Sequence, residues 1–176
     1  LVACGSIFDS TSYTNGFIRS TDKGKTWHVP KEDFNIKNVR AIYCLTSLGG
    51  GRWLACARDS MFKSSDDGLS WQHSGTIGVE EFWNAPSALS NTPRRIVKST
   101  DTSVLFVGNV GIIGRRTFNE SHGTTLRYAF HDTPGSVGRA LSGDLIKLKD
   151  GVLLHINDGA MIHRSTDHGT TWKHVF

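Results

Sequence analysis

One octapeptide, written three times, limits what this chain can fold into more than any other feature. It is Ser20-Thr21-Asp22-Lys23-Gly24-Lys25-Thr26-Trp27, then Ser64-Ser65-Asp66-Asp67-Gly68-Leu69-Ser70-Trp71, then Ser165-Thr166-Asp167-His168-Gly169-Thr170-Thr171-Trp172. The common pattern is Ser-x-Asp-x-Gly-x-[Ser/Thr]-Trp. A worn copy, Asn119-Glu120-Ser121-His122-Gly123-Thr124-Thr125-Leu126, keeps the glycine and a threonine but lacks the Asp and the Trp. The copies end at 27, 71, 126 and 172, giving spacings of 44, 55 and 46 residues. Such a period fits a repeated unit of about 40–50 residues.

The octapeptide has a mechanical reading. A carboxylate at its third position can accept backbone N–H groups from the turn that follows. The glycine supplies a positive φ. The Ser/Thr opens the next strand, and the Trp buries a large ring beside it. Short strands are expected on both sides of every copy, such as Phe17-Ile18-Arg19 before the first and Ser70-Trp71-Gln72-His73 after the second. Further upstream lie strands apolar on both faces, including Trp53-Leu54-Ala55-Cys56-Ala57, Val104-Leu105-Phe106-Val107 and Val152-Leu153-Leu154-His155-Ile156. Helical periodicity is absent.

Many short strands with regular turns predict an all-β chain, and a repeated four-strand unit predicts a β-propeller of four-stranded antiparallel blades. The expected blades run over residues 1–30, 38–74, 94–130 and 139–176 of a single domain spanning 1–176. The first blade lacks its inner strand, which points to part of a larger propeller; a compact four-blade ring is the alternative.

Composition excludes several classes. No run of ~18 apolar residues exists to span a membrane as a helix. The formal net charge is +4, but no Lys/Arg run exceeds Arg94-Arg95 or Arg115-Arg116, so nucleic acid is not an expected partner. Three cysteines do not make a disulfide framework. Cys44 and Cys56 are placed to face each other across a hairpin at Gly49-Gly50-Gly51, as two small buried side chains or as a disulfide. No metal-ligand spacing stands out, and no metal or cofactor is expected.

The octapeptides resemble the Asp-box, or BNR repeat. That repeat is shared by sialidases, some endoglucanases, sortilin-type receptors, photosystem assembly factors and many phage structural proteins. The resemblance covers nearly the whole chain and bears on architecture, because those relatives do unrelated things on one scaffold. It implies a structural role for Ser20, Asp22, Gly24, Trp27, Ser64, Asp66, Gly68, Trp71, Gly123, Ser165, Asp167, Gly169 and Trp172, with the tryptophans in the core. In Asp-box enzymes the active site lies on the opposite face, that of the blade-to-blade links.

Three longer segments belong to that face: 6–15, the link from Gly78 to Pro93, and 131–139. They supply the candidate ligand-binding residues Trp83, Asp132 and Arg139. Arg40, Arg94 or its neighbour Arg95, and Arg139 each sit at or just before a first strand. Arginines from successive blades can converge there on a carboxylate, sulfate or phosphate. A sialidase-like hydrolase would need an arginine triad, a Tyr–Glu pair and an acid/base Asp. The usual Phe/Tyr-Arg-Ile-Pro entry motif is replaced by Pro93-Arg94-Arg95-Ile96-Val97. If the chain is catalytic, Tyr13, Glu80, Glu81 and Asp132 are the candidates.

The expected function is non-catalytic binding or adhesion. The partner is a glycan or a protein surface, within a larger virion-associated or extracellular assembly. The alternatives are a sialidase-like glycoside hydrolase and a purely structural propeller in a phage tail or capsid appendage.

Overall fold

The computed structural model describes residues 1–8, 13–29, 41–57, 60–76, 93–108, 113–117, 124–126, 144–156 and 161–176; of 6–8, 13–15, 76 and 124–126 it describes the backbone alone. The chain divides into two compact units, Leu1–Thr76 and Ile77–Phe176.

The first unit opens with an antiparallel pair, β1 (Val2–Phe8) and β2 (Tyr13–Arg19). A single bridge, Arg19 to His28, continues that sheet after the octapeptide. A four-stranded sheet follows: β3 (Ile42–Gly49), β4 (Arg52–Ala57), β5 (Ser60–Ser64) and β6 (Gln72–Thr76). In the second unit β7 (Pro93–Lys98), β8 (Ser103–Gly108), β9 (Ile113–Thr117) and β10 (Thr124–Leu126) form one sheet. There β11 (Asp144–Lys147), β12 (Leu153–Ile156), β13 (Ile162–Ser165) and β14 (Lys173–His174) form another. Each four-stranded sheet is an antiparallel meander in chain order, as the sequence predicts.

The apolar strands take the central places. Every residue of β8 is buried, because a strand with sheet neighbours and packed faces on both sides offers no solvent-facing position. One core gathers Phe17, Ile42, Ala55, Phe62 and Trp71; the other gathers Leu105, Val107, Ile113, Leu145 and Leu153. Cys44 and Cys56 are Cα partners across β3 and β4, both buried and both free thiols. The hydrogen bond to Cys56 and then burial push the Cys44 thiol up. Burial also pushes Cys4 up, to about 11. These are packed groups with little thiolate character.

Each octapeptide closes on its own carboxylate. Asp66 accepts the Ser64 hydroxyl at 2.8 Å, the Ser70 N–H at 2.9 Å and the Ser70 hydroxyl at 2.5 Å. Asp22 does the same with Ser20 and Thr26, and Asp167 with Ser165 and Thr171. The serine passes the chain on, since Ser64 Oγ accepts the Gly68 N–H at 2.9 Å while donating to Asp66. The turn contains two successive left-handed residues. Lys23, Asp67 and His168 have φ of 62°, 62° and 59°, and the following Gly24, Gly68 and Gly169 have 90°, 84° and 84°. A left-handed non-glycine residue costs about 1–2 kcal/mol, so the carboxylate bonds hold a conformation the chain would otherwise avoid.

These bonds favour the charged carboxylate. At Asp66 desolvation works against the charge, but the Ser70 and Ser64 bonds outweigh it and bring the pKa down to about 2. The Thr26 and Thr171 hydroxyls hold Asp22 and Asp167 well below the usual carboxylate range. Stability from a depressed carboxylate is present above its unfolded value and is lost as pH falls through the folded one. Asp66→Ala is expected to lower unfolding stability by roughly 1–2 kcal/mol in neutral urea titrations. That deficit should shrink as pH falls from about 4 toward 2, from the unfolded carboxylate's value to the folded one.

The same turn joins neighbouring sheets, once in each unit. In the first unit Arg19 donates from Nε to the Asp67 carbonyl at 2.9 Å and pairs with the Asp67 carboxylate at 3.2 Å. A Cβ added to Gly68 would lie 2.6 Å from Val2 Cγ2, and Val2 is the register partner of Arg19. In the second unit Arg115 donates to the His168 carbonyl at 2.8 Å. A Cβ on Gly169 would lie 2.3 Å from Leu105 Cδ1, and Leu105 is the register partner of Arg115. Thus a cross-strand pair of one sheet, apolar residue plus arginine, receives the glycine and the preceding carbonyl of the next.

The tryptophans respond to this joint. Trp71 stacks on Phe17 at 3.7 Å between ring centroids and is 6% exposed. Its indole N–H has no acceptor among the described residues, whereas those of Trp27 and Trp172 donate to the Gly24 and Gly169 carbonyls. Trp27 is 41% exposed, which corrects the expectation that all three rings lie in the core. Among the described residues no neighbouring sheet covers its turn.

Candidate binding face

The topology separates two ends in each sheet. One end carries the octapeptide turn and the turn between first and second strands. Asp67 N–H donates to the Gly51 carbonyl at 2.7 Å, and Ser99 donates to the His168 carbonyl at 2.6 Å. At that end the three turn carboxylates have partners within the fold, and so do the Asp67 and His168 carbonyls.

The other end is where β2 and β7 begin, and it holds the candidate residues that the structure describes. Tyr13 opens β2 opposite Phe8 in the hairpin. Arg94 is exposed near the start of β7. Its neighbour Arg95 pairs with Asp144, at the start of β11, at 3.1 Å. First strands of adjacent sheets therefore bring basic and acidic groups together at this end. Arg40, Glu80, Glu81, Trp83, Asp132 and Arg139 lie outside the described residues, as does Gly123. Among the described residues no group of three or more His, Cys, Asp or Glu is placed to hold a metal ion, and no helix is long and apolar enough to cross a membrane.

One cluster is missed by sequence reasoning. His155 and His163 are cross-strand partners, and so are His163 and His174. The three rings form a ladder with centroid separations of 6.0 and 5.3 Å, and Trp172 meets His155 edge-on. His155 is fully buried. Burial, then the His163 charge, lower its pKa to about 4, against a smaller opposing pull from Asp144. Burial and His174 lower His163 as well. The signal was available: in a strand paired in register, histidines at facing positions share one side.

A histidine with a depressed folded pKa stabilises the fold above its unfolded value of about 6.5 and loses that contribution as pH falls toward the folded one. Unfolding stability should therefore drop between about pH 6.5 and 4, steepened by up to ~1.4 kcal/mol per pH unit for each histidine that must charge. His155→Leu is expected to flatten that slope in urea titrations run across the window.

No family model and no curated protein sequence matches the chain. Solved structures do match in fold. The chain is similar to YCF48 bound to a D1 peptide, at 18% identity and a TM-score of 0.58, covering 90% of this chain and 47% of that one. It is similar to an ancestral GH74 enzyme at 16% identity and 0.58, covering 99% of this chain and 25% of that one. The WD40 β-propeller domain of Doa1 matches at 12% identity and 0.51, over 77% of this chain and 40% of that one. The chain thus spans about half, or less, of the length of these structures. Four-stranded antiparallel meanders joined by repeated turns, together with these likenesses, identify the fold as that of a β-propeller.

Proposed function

We propose that this chain is a set of blades from an Asp-box β-propeller that acts by binding, through the end opposite the octapeptide turns. The observation that carries this is the division of labour between the two ends. The turn carboxylates serve their own turns and the Asp67 and His168 carbonyls serve the joints, while the opposite end presents the exposed Arg94 next to the Arg95–Asp144 pair. Loops placed there by a rigid sheet scaffold are suited to recognition.

A glycan is the leading ligand class. Trp83 would stack on a sugar ring, and Arg40, Arg94, Asp132 and Arg139 would bond hydroxyls or a carboxylate. A protein segment is the second reading, favoured by the peptide carried by a propeller of like fold. An extracellular or virion-associated setting suits either.

A glycan-array screen, with hydrolysis of a fluorogenic sialoside followed in the same preparation, tests the reading. Binding without turnover, weakened at least ~10-fold by Trp83→Ala or Arg139→Ala, is the expected result. Turnover abolished by changes at Tyr13, Glu80, Glu81 or Asp132 would instead make the chain a glycoside hydrolase. Silence in both assays would sink the glycan reading and leave a structural or peptide-binding propeller.

A further inference from the structure

The sheet of β3 to β6 carries two thiols where the other four-stranded sheets carry none. Cys44 on β3 and Cys56 on β4 are register partners, so their side chains stand on one face of the sheet. Both are buried, and the Cys44 thiol shares a hydrogen bond with the Cys56 side chain. Facing residues of an antiparallel pair have Cα atoms about 4.5–5.5 Å apart. That lies within the range of about 4.4–6.8 Å that a disulfide accepts.

The fold itself does not ask for two thiols at this place. Leu54, Leu105 and Leu154 each face a basic residue of the third strand, namely Lys63, Arg115 and Arg164. Two residues further along each second strand stand Cys56, Val107 and Ile156. Their partners on the first strands are Cys44, Arg95 and Asp144. Arg95 and Asp144 are exposed and pair with each other. Two of the sheets thus take a solvent-facing charge where the third buries a thiol against a thiol. Other small apolar side chains would fill the space as well; only a pair of cysteines adds a bond.

We propose that Cys44 and Cys56 close a disulfide across β3 and β4 when the chain folds in an oxidising setting, with a low-molecular-weight disulfide as the oxidant. One cysteine thiolate attacks a sulfur of the reagent and expels half of it as a thiolate. The second cysteine attacks the resulting mixed disulfide and expels the other half. The chain loses two electrons and two protons, and the reagent ends as two thiols. In the folded chain both sulfurs are shielded, and the Cys44 thiol is held above its usual range by its bond to Cys56 and by burial, so exchange there is slow. The bond therefore forms while the hairpin of β3 and β4 is open, and the folded sheet then shields it from reductant. It ties the first two strands together near the start of β3, at the end that lies opposite the octapeptide turn. The inference rests on the thiol pair alone and is independent of any ligand at that end.

Oxidative refolding tests this. The reduced chain is unfolded in urea and refolded with or without oxidised glutathione; free thiols are then alkylated and the peptides mapped by mass spectrometry. The oxidised sample should contain one linked pair, Cys44 with Cys56, and an alkylated Cys4, which lies on β1 facing Phe17. Its urea midpoint should rise by about 1 M over that of the reduced sample. Cys44→Ala should abolish that gain, and Cys4→Ala should keep it. Linkage should run at least ~10-fold slower when the reagent is added to the folded reduced chain. Alkylation of all three cysteines after oxidative refolding, a link from Cys4 to either partner, a linked chain whose midpoint does not rise, or linkage as fast in the folded chain as during refolding would each overturn the proposal.

Discussion

Gly169→Ala should destabilise the chain by about 3 kcal/mol, the largest effect of any methyl-sized change in the octapeptides. Two costs add. The first is the left-handed backbone at φ 84°, worth about 1–2 kcal/mol for a residue with a Cβ. The second is steric. The new Cβ would lie 2.3 Å from Leu105 Cδ1 and 3.3 Å from Leu153 Cδ1, both on fully buried residues. Overpacking of that kind costs roughly 1–3 kcal/mol. Gly151→Ala separates the terms, because its φ is also 84° but nothing lies within 4 Å of its added Cβ; it should show the backbone cost alone. Shortening Leu105 to alanine in the Gly169→Ala background should be less than additive. Urea denaturation of the parent, of Gly169→Ala, Gly151→Ala and Leu105→Ala, and of the double variant reads all of this, and equal losses at Gly169 and Gly151 would mean that the joint is not tight.

Gly114→Ala is the second large effect, with a different cause. Gly114 lies on β9 as the register partner of Phe106 on β8. An added Cβ would sit 2.1 Å from two atoms of the Phe106 ring. The ring therefore lies across the glycine, in space that any side chain would claim. Phe106 is fully buried on a strand whose every residue is buried, so it has nowhere to rotate. A loss of about 3 kcal/mol is expected, at the upper end for overpacking. Phe106→Leu should cost stability alone yet recover part of the alanine penalty, which a double-mutant cycle measures directly. No coupling between the two positions would contradict the packing described.

The sheets were legible because each strand writes its burial in its own residues. Val104-Leu105-Phe106-Val107 reads as a central strand, and it is one. The carboxylate turn was legible too, since Asp at the third position and Ser/Thr at the seventh are a local hydrogen-bonding pair. The joint was not legible. Its acceptor is a carbonyl, which every residue type carries, and its donor arginine has no fixed place in the pattern. Arg19 immediately precedes the first octapeptide, whereas Arg115 lies four residues before the worn one. Register alone makes them equivalent. The exposure of Trp27 escaped for the same reason, because what covers a turn belongs to another sheet. For the candidate site, the links that carry Trp83, Asp132 and Arg139 have no repeat to place them, and their residues lie beyond those described.

Lys, Asp and His occupy the same left-handed position in the three complete turns, and the two joints described share a main-chain carbonyl there as acceptor. An attachment that reads backbone and a missing Cβ is blind to most of the side chains around it. Blades built this way are interchangeable parts. A duplicated or recombined blade would find its neighbour ready-made wherever the receiving strands carry the apolar–arginine pair. Such a lineage can drift far in sequence while its geometry stays recognisable.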